Sequence, residues 1–119
     1  MNGWITQLRK GLLEFCVLNV LRHGESYGYE IVQALKGIEE LSVSESTVYP
    51  ILSRLRDEEL LKVRDVPSSA GPPRRYFSLT VTGRLRVAEM NAYWELLVKA
   101  IGVLQAGKTE SSTIVDNRR

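Results

Sequence analysis

The chain has 119 residues, of which 44% are apolar and 25% charged. That size predicts one domain with an appendage, and the apolar runs are broken by charge well short of the ~20 residues a membrane span needs. The formal charge of +2 says little about a nucleic-acid partner, because basic and acidic side chains balance over residues 1–80 and only local clustering can make a phosphate-binding surface.

The first residues, Met1 to Lys10, lack the charged, apolar, small-residue order of a signal peptide, which predicts a cytoplasmic protein. Helical spacing begins with Leu8, Leu12, Phe15, Cys16, Leu18 and Leu21, predicting a first helix over about 6–22 with Gly24 as its C-cap. Cys16, the single cysteine, lies among Leu12, Leu13, Val17 and Val20 and reads as a buried small hydrophobe. Ser26 is placed to cap a second helix with the stripe Tyr27, Ile31, Leu35 and Ile38. Ser44 is placed to cap a third over about 45–58, with Val43 against Val48 as a hydrophobic staple.

The third helix separates its faces. Val48, Ile51, Leu52 and Leu55 form one stripe; Ser46, Pro50 and Ser53 point the other way, with Thr47, Tyr49 and Arg54 on the flanks. Pro50 removes one backbone hydrogen bond near the start of this helix. Alternation then takes over at 61–66, a Pro67 to Pro73 break follows, and Tyr76 to Leu79 returns, predicting a two-stranded hairpin with a long tip. Arg74 and Arg75 stand where the returning strand leaves that tip. Three helices followed by a β-hairpin is the winged helix-turn-helix order, so the expected fold is mainly α with one β-hairpin.

From Thr82 helical spacing resumes. Val87, Trp94 and Ile101 recur every seven residues, as do Met90, Leu97 and Leu104, and Leu85, Tyr93, Leu96, Ala100 and Val103 widen that seam. The pattern predicts a dimerisation helix over 81–106 behind a DNA-binding domain over 1–80, with a polar, disordered tail over 107–119.

Catalysis is poorly provided for. His23 is the only histidine, so neither a catalytic triad nor a multi-histidine metal site can form within the chain, and the glycines lack a phosphate-binding pattern. Glu39-Glu40 and Asp57-Glu58-Glu59 fall at predicted helix ends and read as solvated charge. The expectation is a non-enzyme with no metal and no cofactor. A winged helix serving as a protein-interaction module without DNA stands as the alternative, supported by the charge balance of residues 1–80.

Four segments in order resemble the PadR family of transcriptional regulators, of the short kind with a single C-terminal helix: Gln7-Leu8-Arg9-Lys10-Gly11, Ser26-Tyr27-Gly28-Tyr29-Glu30-Ile31, Thr47-Val48-Tyr49-Pro50-Ile51-Leu52-Ser53-Arg54-Leu55 and Gly71-Pro72-Pro73-Arg74-Arg75-Tyr76-Phe77-Ser78-Leu79-Thr80. Two positions depart from the family's habit: Ser46 and Glu59 stand where glycines are usual. The resemblance implies a ligand-responsive repressor acting as a homodimer on an inverted repeat of double-stranded DNA. Its DNA contacts would be Ser44, Ser46, Thr47, Tyr49, Ser53, Arg54, Arg74 and Arg75, and its dimer seam Val87, Met90, Trp94, Leu97, Ile101 and Leu104. Regulators of this kind can take flat aromatic compounds between subunits, which makes Trp94 the candidate contact for a small planar aromatic effector, against its reading as ordinary core.

Overall fold

The computed structural model describes residues 3–107; the residues of the expected tail beyond Gly107 lie outside it. Two compact units divide within the last helix, between Val87 and Ala88.

The first unit begins with α1 (Gly3–Arg9) and α2 (Leu12–Leu21) where one continuous helix is expected. Gly11 causes the break. At φ 90 it occupies the left-handed region that glycine enters freely, which ends α1 and lets the chain start again. Gly24 is not the cap of α2: Arg22 holds that position, and the Gly24 amide reaches back to the Leu21 carbonyl at 3.3 Å.

Ser26 is not a cap either. Ser26–Tyr27 forms a short strand, β1, and Tyr27 is the N-cap of α3 (Gly28–Lys36), its amide donating to the Glu30 carboxylate at 3.0 Å. A 3-10 turn (Glu39–Leu41) leads to α4 (Glu45–Asp57), capped by Ser44 as its sequence predicts. Strands β2 (Leu61–Ser68) and β3 (Gly71–Leu79) follow, and then α5 (Val81–Ala106). The sheet is antiparallel in the order β1-β3-β2, so the hairpin carries a third strand that the sequence pattern does not reveal.

The wing tip is tight, not long. Ser68 pairs with Gly71 across two turn residues, and a register shift between Val66 and Ser68 takes Pro67 out of the ladder. Proline cannot donate a ladder bond. Pro72 and Pro73 are tolerated in β3 because β1 pairs only with Tyr76 and Phe77, leaving the far edge of β3 open beside them.

The core gathers Val17, Leu18 and Leu21 from α2, Ile31, Val32 and Leu35 from α3, and Val48, Leu52 and Leu55 from α4 over Leu60, Leu61, Phe77, Leu79 and Val87. Each such side chain stabilises the fold by about 1.5–3 kcal/mol through burial. Cys16 is only partly buried; burial pushes its thiol up, which keeps it protonated and unreactive.

The end of α4 is built around an unusual residue. Glu59 has φ 63, the one non-glycine with positive φ among the described residues. Its amide donates to the Arg56 carbonyl at 2.9 Å and that of Leu60 to the Leu55 carbonyl at 3.0 Å. Both bonds, with buried Leu55 and Leu60 beneath them, make a Schellman motif in which Glu59 holds the place glycine normally takes. The Thr80 hydroxyl then donates to the Glu59 carbonyl at 2.8 Å and accepts from the Gly83 amide at 2.9 Å. Thr80 thereby caps α5 while closing the end of α4.

The described part of the second unit, 88–107, is the rest of α5 and the turn residue Gly107. Tyr93, Leu96, Val98, Ile101 and Leu104 are exposed in it, and Trp94 is 38% exposed. Among the described residues no helix is long and apolar enough to cross a membrane.

Candidate nucleic-acid interface

At the start of α4, Ser44 has extended backbone, which lets its carbonyl receive the first helical amides, Thr47 at 3.1 Å and Val48 at 3.2 Å. Its hydroxyl makes no cap bond to the backbone. It bonds the Ser46 hydroxyl at 2.8 Å and that of Thr47 at 3.4 Å. The first turn therefore presents hydroxyls and unpaired backbone amides at the positive end of the helix, a surface that suits phosphate oxygens. Ser44, Ser46, Thr47 and Ser53 are all exposed.

Tyr49 is fixed from below. Its ring lies against Gly28, where an added Cβ would come within 2.4 Å of Cε1. The phenol, 40% exposed, is raised above the ordinary tyrosine value by burial, with Glu45 and Tyr27 adding, so at neutral pH it is a hydrogen-bond donor.

Arg54 and Arg56 have different surroundings. Arg54 pairs with Glu14 of α2 and lies 3.8 Å from Glu58, so two carboxylates already face its guanidinium. Among the described residues Arg56 pairs only with its chain neighbour Asp57, at 3.4 Å, and it lines a cleft of about 370 Å³ between the start of α3, α4 and the wing. Tyr27, Tyr29, Tyr49, Ser53, Arg74 and Arg75 border the same cleft. Arg54 is the α4 arginine expected at DNA; Arg56, which no local pattern in the sequence distinguishes, is the one at the cleft.

The wing arginines differ too. Alternation along β3 puts Arg75 on the face of buried Phe77 and Leu79, with Asp65 3.3 Å away, and Arg74 on the opposite face, its guanidinium 4.8 Å from the Tyr27 ring centre. On that opposite face Tyr27 and Tyr76 sit 5.4 Å apart, and Arg64 covers Tyr76 at 5.4 Å. Arg64 grips Glu25 at 3.0 and 2.6 Å. These hydrogen bonds hold the Glu25 carboxyl below the usual carboxylate range. The base of the wing is thus stiffened by a cross-strand ladder of rings and guanidiniums.

Of the seam residues, Val87 corrects the expectation: it is 2% exposed in the core of the first unit and offers no surface to a second chain. Met90 and Leu97 are half-buried, whereas Trp94, Ile101 and Leu104 are exposed.

Three helices, α2, α3 and α4, followed by a sheet-backed hairpin define a winged helix-turn-helix. The profile of the family described as transcriptional regulator PadR-like matches residues 17–89. The chain is similar to the structure of a PadR family transcriptional regulator from Eggerthella lenta DSM 2243, at 30% identity and TM-score 0.77 over 86% of this chain and 88% of that one. It is also similar to the negative transcriptional regulator PadR of Bacillus subtilis (strain 168), 32% identical over 77 residues, which are 61% of this chain and 41% of that protein. The structure of B. subtilis PadR in complex with operator DNA shares the fold, with TM-score 0.62 and 24% identity over 77% of this chain and 58% of that one. The chain belongs to the PadR-like family of transcriptional regulators.

Proposed function

We propose that this regulator is a homodimeric, ligand-responsive repressor that reads an inverted-repeat operator with α4 and steadies itself on the flanking backbone with the wing. The observation that carries this reading is the convergence of Tyr49 and Ser53 of α4 with Arg74 and Arg75 of the wing around one cleft, on a helix whose first turn exposes the hydroxyls of Ser44, Ser46 and Thr47. B. subtilis PadR, which shares the fold, forms a complex with operator DNA, and this supports a DNA partner for the present chain.

In this reading the α4 hydroxyls and Tyr49 meet phosphates and base edges, and the wing guanidiniums meet the backbone. Met90, Trp94, Leu97, Ile101 and Leu104 form the seam with a second copy, setting two α4 helices about 34 Å apart on one face of the duplex. The proposed division of labour is DNA binding by 1–80 and pairing by α5, 81–106, through its residues beyond Val87. Trp94 is the proposed contact for a planar aromatic effector, because a Trp face stacks on flat rings without requiring hydrogen bonds.

The test is a mobility shift on the region upstream of the protein's own gene, paired with sedimentation. A shift by the wild-type dimer, lost together with dimerisation in Leu97→Asp/Ile101→Asp, is the expected result. A dimer that ignores DNA would instead favour the protein-interaction module. For the effector, saturable quenching by a planar aromatic dye in a Trp4→Phe background, abolished by Trp94→Ala, is expected; absence of quenching returns Trp94 to the core.

A further inference from the structure

The cleft between α3, α4 and the wing has a chemistry that the overall DNA-binding reading does not specify. It is lined by buried Phe77, 4% exposed, by three tyrosines, Tyr27, Tyr29 and Tyr49, and by three arginines, Arg56, Arg74 and Arg75. Its volume of about 370 Å³ falls in the range of clefts that hold small ligands. Its polar groups are mostly hydroxyl and guanidinium donors, with Asp65 bound to Arg75, Asp57 beside Arg56 and Glu45 near Tyr49 as neighbouring carboxylates.

We propose that this cleft seats one phosphate of the DNA backbone, with Arg56 as the guanidinium that α4 contributes and the Tyr29 hydroxyl as a second donor. The proposal rests on the DNA-binding reading and deepens it.

Three observations support it. Arg54 flanks the polar face of α4, but Glu14 and Glu58 face its charge, so a phosphate there would meet net negative charge. Arg56 has a single exposed carboxylate beside it, an interaction worth little in water and easily exchanged for a phosphate. Planar guanidinium donors match a phosphate's paired oxygens. Tyr29, 48% exposed one residue after the Gly28 on which Tyr49 rests, brings its hydroxyl from α3, so the seat joins α3, α4 and wing.

The experiment is fluorescence anisotropy of labelled operator and of random DNA across a sodium chloride series, with helical content checked by circular dichroism. Arg56→Gln is expected to weaken both DNAs alike and reduce the slope of log affinity against log salt by about 0.9, the value for one lost phosphate. Arg56→Lys should restore most of that slope, and Tyr29→Phe should lower affinity without altering it. A wild-type slope in a folded Arg56→Gln protein, while the wild type still binds operator, overturns the phosphate seat and leaves the DNA-binding reading standing. A wild type that binds neither DNA removes both. Inorganic phosphate at matched ionic strength should displace operator no better than chloride. Selective displacement by phosphate that Arg56→Gln abolishes, with the slope unchanged, would assign the cleft to a free phosphorylated molecule and overturn the proposal.

Discussion

Glu59→Gly should stabilise this protein, and the size of the gain follows from the end of α4. An L-residue held in the left-handed region, as Glu59 is at φ 63, costs roughly 1–2 kcal/mol that glycine avoids. Against this, glycine loses more backbone freedom on folding, roughly 0.5–1 kcal/mol. Removing a negative charge just past a helix C-terminus recovers about 0.3 kcal/mol from the macrodipole. The bond from Thr80 uses the Glu59 backbone carbonyl and survives the change. The net expectation is a gain of about 1 kcal/mol. Urea unfolding at fixed protein concentration should show the midpoint rising by about 0.5 M with an unchanged m-value, and thermal unfolding a rise of about 4 °C. Glu59→Ala, which keeps the steric conflict, should gain little. Equal midpoints for wild type and Glu59→Gly, or a loss in the glycine variant, would refute the assignment of strain to this residue.

Gly83→Ala should do the reverse, because an added Cβ would lie 2.1 Å from the Leu60 carbonyl oxygen, a backbone atom that cannot swing aside; a loss of about 1–3 kcal/mol in the same urea assay is expected. Gly28→Ala should push the Tyr49 ring from its seat and weaken operator binding, yet cost far less in a Tyr49→Ala background, a coupling of about 0.5–3 kcal/mol in a double-mutant cycle. Glu25→Gln removes the hydrogen-bonded carboxylate that Arg64 holds. Since Glu25's lowered value favours the folded state above the ordinary glutamate range, the stability gap between wild type and variant should be full at neutral pH and close as pH falls through that lowered value, as read by urea midpoints at stepped pH.

The helices that face the core were legible because burial on one side imprints a period. Val48, Leu52 and Leu55 are all buried at helical spacing, and Ser44 marks the start of α4 by its residue type alone. Short-range conformation was less so. The break at Gly11 looks like any glycine inside an apolar run, since α2 is apolar nearly all round and its stripe does not announce where the helix begins. A strand of two residues has no periodicity, so β1 was hidden behind a serine that resembles a cap. The clustered prolines read as a long loop, although an open strand edge and a bulge accommodate them. Arg54 and Arg56 could not be told apart because the carboxylate that decides between them, Glu14, lies forty residues away in the chain. The seam residue Val87 fits its heptad, but the first unit's core takes it.

The Thr80 hydroxyl has a consequence for signalling. One oxygen ends the helix proposed to read DNA and begins the helix proposed to join two chains, 2.8 Å from one backbone and 2.9 Å from the other. Gly83 lets those backbones approach until no side chain fits between them. A twist in the opening turn of α5 therefore has no slack to absorb it: the turn and the exit of α4 must move as a single joint, or the shared hydroxyl must release one of its two partners.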